Sequence, residues 1–204
     1  MTLYLAFGVN IGNLRRTSGQ RRRLMKDWIR DVNQRLAETG ASTKVLDSFS
    51  HTGNFVVESD NDRSQVASHL SSVFDTQFAV LSIDELGEYA LIMKKASPPE
   101  PKAGFRWTPG LVFAVSSEQA TGHKLHDTPH ARFYLMPLRV IGAWKLDQLT
   151  TSGVLDREKR GGGWGAVSND ISLQIGGKWT ARSLKTVKGV LELAGGRGAG
   201  TNSD

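Results

Sequence analysis

The alternation of apolar periods along the first part of the chain restricts its fold more than any other feature. Leu3-Tyr4-Leu5-Ala6-Phe7 is a short apolar run that ends on Gly8, as a strand does. Leu24, Trp28, Val32 and Leu36 then recur every fourth residue, with Met25 and Ile29 beside them. That is one apolar stripe at helical period, and it predicts a helix that begins near Ser18 and ends before Gly40. Thr43 to Phe49 reads as a strand, His51-Thr52-Gly53-Asn54 as a turn, and Phe55-Val56-Val57 as the returning strand. Asn61 or Asp62 is placed to cap a second helix with Val66, Leu70, Val73 and Phe74 facing inward, and Phe78 to Ile83 supplies a further strand. The order β-α-β-β-α-β is the split βαβ, or ferredoxin-like, unit: one antiparallel sheet with both helices on one face. Strands one and three are its adjacent central pair. Taken as parallel, they put the turn at Asn10 and the turn at Asn54 at opposite ends of the sheet, so no site is expected from Asn10 with His51.

Three prolines in the polar run Ala96-Ser97-Pro98-Pro99-Glu100-Pro101-Lys102-Ala103-Gly104 mark a linker. Beyond it the pattern repeats less clearly. Leu111 to Val115 is a strand, Ser116 to Leu125 a helix, and Arg132 to Met136 with Val140 to Leu146 a hairpin pair around Pro137. Asn169 to Ile175 is ambiguous: Ile171, Leu173 and Ile175 alternate as in a strand, while Ser168 could cap a short helix. Thr180 to Leu193 reads as the last helix, with Leu184, Val187, Leu191 and Ala194 on one face. The expected fold class is therefore α+β, two ferredoxin-like (α/β-plait) lobes packed together. The lobes span 1–95 and 110–194, with a linker at 96–109 and a disordered tail at 195–204.

The 204 residues carry no cysteine, which excludes disulfides, thiolate zinc sites and thiol nucleophiles. An intracellular, cytoplasmic protein is expected, with neither a secretory signal nor a membrane span. The formal net charge of +6 favours acidic partners such as nucleic acid, nucleotides or anionic metabolites, although a basic balance also serves solubility alone.

Three segments in order resemble the bacterial family called domain of unknown function 1697. They are Gly8-Val9-Asn10-Ile11-Gly12 after the first strand, Thr52-Gly53-Asn54-Phe55-Val56-Val57 at the hairpin, and Thr180-Ala181-Arg182 leading to Thr186-Val187. The resemblance runs from Leu3 to Leu193 and implies two plait lobes, but no activity. The chain departs from the family pattern at Phe7 (usually arginine), at His51 and Thr52 (usually glutamine and serine), and at Ser183 and Leu184 (usually asparagine and tryptophan).

Several residue groups could carry a site. Gly8, Asn10, Gly12 and Asn13 form either a backbone amide nest for an anion or a turn that needs glycine; their spacing fits neither the Walker nor the dinucleotide pattern. Arg182, with Thr180, Lys185 and Lys188, falls at the expected start of the last helix, where an anion could bind; the alternative is a solvated basic face. Arg157, Lys159, Arg160 and Trp164 flank a glycine-rich loop that could neutralise phosphates and stack on a base, or simply connect two elements. His123, His126 and His130 have metal-like spacing, but Pro129 interrupts the helix they would need, so no metal is expected, and no cofactor. His69-Leu70-Ser71 and His126-Asp127-Thr128 echo the paired triplets of two-histidine phosphoesterases, yet His69 falls on a helix where that chemistry needs a strand.

These features favour a non-catalytic binding protein whose basic groove between the lobes takes an anionic ligand, DNA or RNA or a nucleotide rather than a membrane. A small-molecule enzyme with an inter-lobe pocket of Asn10, Arg182 and His51 is the alternative. A third reading is an assembly protein that pairs through an exposed sheet edge.

Overall fold

The computed structural model describes residues 1–9, 25–49, 53–98, 100–115, 125–135, 140–149 and 163–198. The protein is α+β, with two four-stranded antiparallel sheets, each packed with helices. The chain divides into two compact units, one of Met1–Gly87 with Lys188–Asp204 and the other of Glu88–Val187.

In the first unit β1 (Thr2–Gly8), β2 (Thr43–Phe49), β3 (Asn54–Ser59) and β4 (Phe78–Ser82) form a sheet of order β2-β3-β1-β4. Helices α1 (Met25–Glu38) and α2 (Arg63–Phe74) cover one face. Val32 and Leu36 of α1 meet Val66, Leu70 and Val73 of α2 over Ala6, Val45, Phe55, Val57 and Phe78 of the sheet. Phe55 stacks on Phe74 at 5.2 Å between ring centroids and on Trp28 at 5.5 Å. The other face is apolar too: Leu5, Phe7, Val56, Ala79 and Leu81 are buried. That two-sided burial is why Leu3 to Phe7 reads as a continuous apolar run rather than an alternation.

Local chemistry sets the boundaries. Asp62 accepts from the Gln65 amide at 2.9 Å while the Gln65 side chain accepts from the Asp62 amide at 3.2 Å, a reciprocal cap that starts α2. Asp75 ends it in the left-handed region at φ 51°. Edge strand β2 has an irregularity between Val45 and Asp47. There the Asn33 carboxamide of α1 takes the place of a neighbouring strand: Oδ1 accepts from Val45 N at 2.8 Å and Nδ2 donates to Val45 O at 2.9 Å.

Helix α3 (Ile83–Lys95) has no counterpart in the sequence expectation. Its signals were present: Leu86, Tyr89, Ala90 and Met93 are buried at helical spacing, and Ser82 with Glu85 makes a second reciprocal cap at 3.2 Å each way.

In the second unit β5 (Phe105–Ala114), β6 (Ala131–Leu135), β7 (Val140–Gln148) and β8 (Trp179–Ser183) form a sheet of order β6-β7-β5-β8, the arrangement of the first sheet repeated. Helix α4 (Trp164–Ile175) packs Val167 and Ile171 onto Val112, Ala114, Ile141, Ala143 and Ala181. This decides the ambiguous 169–175 segment as helix, begun well before Ser168. The helix expected over Ser116 to Leu125 lies, but for Leu125 itself, outside the described residues.

Two boundaries differ from expectation. Strand β5 begins at Phe105 rather than Leu111, inside the segment taken as linker, and pairs with β7 as far as Gln148. Pro109 is compatible with this because β8 pairs only from Gly110 onward, so no strand lies beside Pro109 on that side. The last helix, α5 (Leu184–Gly198), starts after Ser183, and Thr180-Ala181-Arg182 belong to β8. Trp179 and Ala181 alternate into the core, which imposes a period of two where a helix was expected. The Ser183 hydroxyl then accepts from the Thr186 amide at 3.2 Å and starts the helix there. Helix α5 runs into the segment expected as a tail.

Candidate functional site

In the first unit, β1 and β3 are antiparallel, with Phe7 opposite Asn54. This corrects the parallel pairing taken from the sequence. In a split βαβ unit the strand inserted between the parallel pair comes from a hairpin and runs against both neighbours. The turn after β1 and the turn before β3 therefore lie at one end of the sheet. Gly8 N donates to Gly53 O at 2.8 Å, Val9 N donates to Gln77 O at 2.9 Å, and Thr76 Oγ1 donates to Val9 O at 2.7 Å. The Gly8 and Val9 amides are consumed by these bonds, so neither is free to cradle an anion. Gly53 has φ 76°, which favours glycine, and buried Asn54 donates from Nδ2 to Phe49 O at 3.1 Å, closing the hairpin. Asn10, Gly12, His51 and Thr52 lie outside the described residues.

Arg182 stands on β8, not on a helix N-terminus. Trp179 and Ala181 face α4, so Thr180 and Arg182 face the opposite side of the sheet, as do Leu111 and Phe113 beside them. One guanidinium nitrogen donates to Thr180 Oγ1 at 2.7 Å and to Ala181 O at 2.8 Å. Burial strips water from the cation and lowers its pKa from the ordinary guanidinium value to about 10. The ladders carry this row onward: Arg182 lies opposite Leu111, Leu111 opposite Gly142, and Gly142 opposite Tyr134. Three strand spacings separate Arg182 from Tyr134, roughly 14 Å.

Aromatic groups gather at the Tyr134 end. Tyr134 is 45% exposed and meets Trp144 edge-on at 6.3 Å. One row further on, Arg132 lies 5.5 Å over the Trp107 ring. Arg132 is held by Asp127 at 3.4 Å and donates to Thr128 O at 3.2 Å. Among the described residues the buried Trp107 Nε1 meets no hydrogen-bond partner. The face thus offers a desolvated cation at one side and partly exposed rings at the other. Among the described residues its chemistry suits an anionic group and a flat ring.

The face carrying α4 holds a polar cluster that the sequence reading missed. Buried Lys145 pairs with Asp147, whose second carboxylate oxygen accepts from Thr108 Oγ1. Alternation along β7 could have found it, since Ile141, Ala143, Lys145 and Asp147 share a face. Trp164 opens α4 and lies against Gly110 of β5, packed on the core. Arg157, Lys159 and Arg160 lie outside the described residues, as does His123. His126 is clasped through its backbone by Gln174, at 2.6 and 2.9 Å. Among the described residues no group of three metal-ligating side chains comes together, and no helix is long and apolar enough to cross a membrane.

No family model matches the chain, and no curated protein matches it. Among solved structures it is similar to a conserved bacterial protein from Streptococcus pneumoniae, with 15% identity, a TM-score of 0.47, and coverage of 95% of this chain and 98% of that one.

Proposed function

We propose that this protein binds an anionic ligand without transforming it, and that the ligand is a nucleic acid or a nucleotide. The observation that carries the reading is Arg182. Its guanidinium is a planar donor fork on a sheet face, a geometry that suits paired charge-assisted hydrogen bonds to a phosphate. Tyr134, exposed on the same sheet face and backed by buried Trp144, favours a ligand with a base over a simple anion. The net charge of +6 adds long-range attraction. Fluorescence anisotropy with labelled single-stranded DNA and RNA, and with a labelled nucleotide, tests it. Binding at low salt that falls steeply as salt rises, and that Arg182→Ala weakens at least ten-fold, is expected, since a charged hydrogen-bonded contact is worth roughly 1.5–3 kcal/mol. Absence of binding to all of these at low salt overturns it.

We infer also that the chain is a divergent member of the domain of unknown function 1697 family. The support is the order of its three motifs, whose described residues are Gly8 and Val9 at the end of β1, Gly53 to Val57 leading into β3, and Thr180 to Arg182 on β8 with Thr186 and Val187 on α5. A solved member of that family with the motifs on other elements would refute the assignment.

A further inference from the structure

The first unit contains a hydroxyl relay that the proposed function does not use. Thr43 at the start of β2 lies opposite Ser59 at the end of β3, and both are buried. Four contacts link the group. Thr43 Oγ1 lies 3.0 Å from Ser59 Oγ and 3.0 Å from Nδ1 of His69 on α2. Ser59 Oγ lies 3.1 Å from Ser42 O and accepts from the Asn61 amide at 3.1 Å.

Proton accounting decides the direction of each bond. A carbonyl oxygen can only accept, so the single Ser59 hydroxyl proton goes to Ser42 O. Ser59 Oγ then accepts from Thr43, which uses the single Thr43 proton. Thr43 Oγ1 is left only lone pairs for the imidazole, so His69 Nδ1 must carry a proton and donate. The opposite direction, with Thr43 donating to His69, takes the Ser59 proton away from Ser42 O and makes one bond fewer. We infer that the fold locks neutral His69 in the tautomer protonated on Nδ1. On this partly exposed residue the Nε2 lone pair is then the ring's remaining acceptor. Among the described residues no hydrogen bond reaches Nε2. His69 is therefore an acceptor site for a ligand N–H or O–H, separate from Arg182.

Long-range nitrogen–proton NMR correlation on the full-length chain, at a pH where His69 is neutral, reads the tautomer directly. The expected result is an Nδ1–H population at least about five-fold above Nε2–H, the ratio that one net hydrogen bond supports. Thr43→Val, which removes the relay hydroxyl, abolishes that excess, and Thr43→Ser, which keeps it, restores the excess. Ser59→Ala frees the Thr43 proton for Nδ1 and reverses the preference, an independent reading if Thr43→Val does not fold. A dominant Nε2–H form in the unmodified protein, or an unchanged excess in Ser59→Ala, overturns the inference.

Discussion

Arg182 shows how a single residue can be placed at a cost to stability. Its folded pKa of about 10 lies below the ordinary guanidinium value because burial disfavours the charged form. The difference corresponds to an upper bound of roughly 3 kcal/mol. The cost is present below about pH 10 and is relieved as pH rises from there toward the ordinary guanidinium pKa, a window in which the unfolded chain keeps the proton that the folded one releases. Replacing the cation by an apolar side chain of similar length removes the cost together with the bonds to Thr180 and Ala181. Arg182→Met is therefore expected to leave stability unchanged or raise it by up to about 2 kcal/mol in ligand-free protein, measured by denaturant unfolding. The same variant is expected to lose anion binding. A large loss of stability would show that Arg182 is a structural residue.

At the scale of elements, side-chain caps do work that periodicity alone does not reveal. Asp62 and Gln65 start α2, and Ser82 and Glu85 start α3, by the same reciprocal bonding. Asp62→Ala is expected to cost about 1 kcal/mol in a denaturant titration, with Asp62→Ser retaining most of the stability. Asn33→Leu removes both partners of the Val45 backbone on edge strand β2. A loss of roughly 1–3 kcal/mol, with faster amide exchange at Val45, is expected there. Sequence periodicity found α1, α2 and the strands of the first sheet because their apolar faces are regular. It missed α3 because the Ser-x-x-Glu start at Ser82 overlaps the end of a strand. It put Thr180 to Ser183 in a helix because polar Thr180, Arg182 and Ser183 hide the alternation of Trp179 and Ala181.

On the scale of the whole molecule, the greater part of α5 is built into the unit formed by the beginning of the chain. Residues of α5 from Lys188 belong to the first unit, and a Cβ added at Gly189 would lie 2.2 Å from the Phe49 ring of β2. The ring has no room to accept a methyl group without moving. Gly189→Ala is expected to destabilise the protein by roughly 1–3 kcal/mol, and Phe49→Leu to recover part of that loss in the double variant. Additive effects of the two substitutions would show that the close approach has no energetic consequence.

The amino-acid sequence by itself determined the plait order of the first unit, the helix stripes and a cap at Asn61 or Asp62, because each follows from local period or a local hydrogen bond. It also marked Gly53-Asn54 as a hairpin turn and Arg182 as a residue to examine. Only the tertiary structure decided which way neighbouring strands run, and hence that the Gly8 and Gly53 turns meet. It alone turned Trp164 inward onto Gly110 and set Arg182 on a sheet face in line with Tyr134. Those relations join residues far apart in the chain, through backbone pairing and burial that no short window of sequence contains.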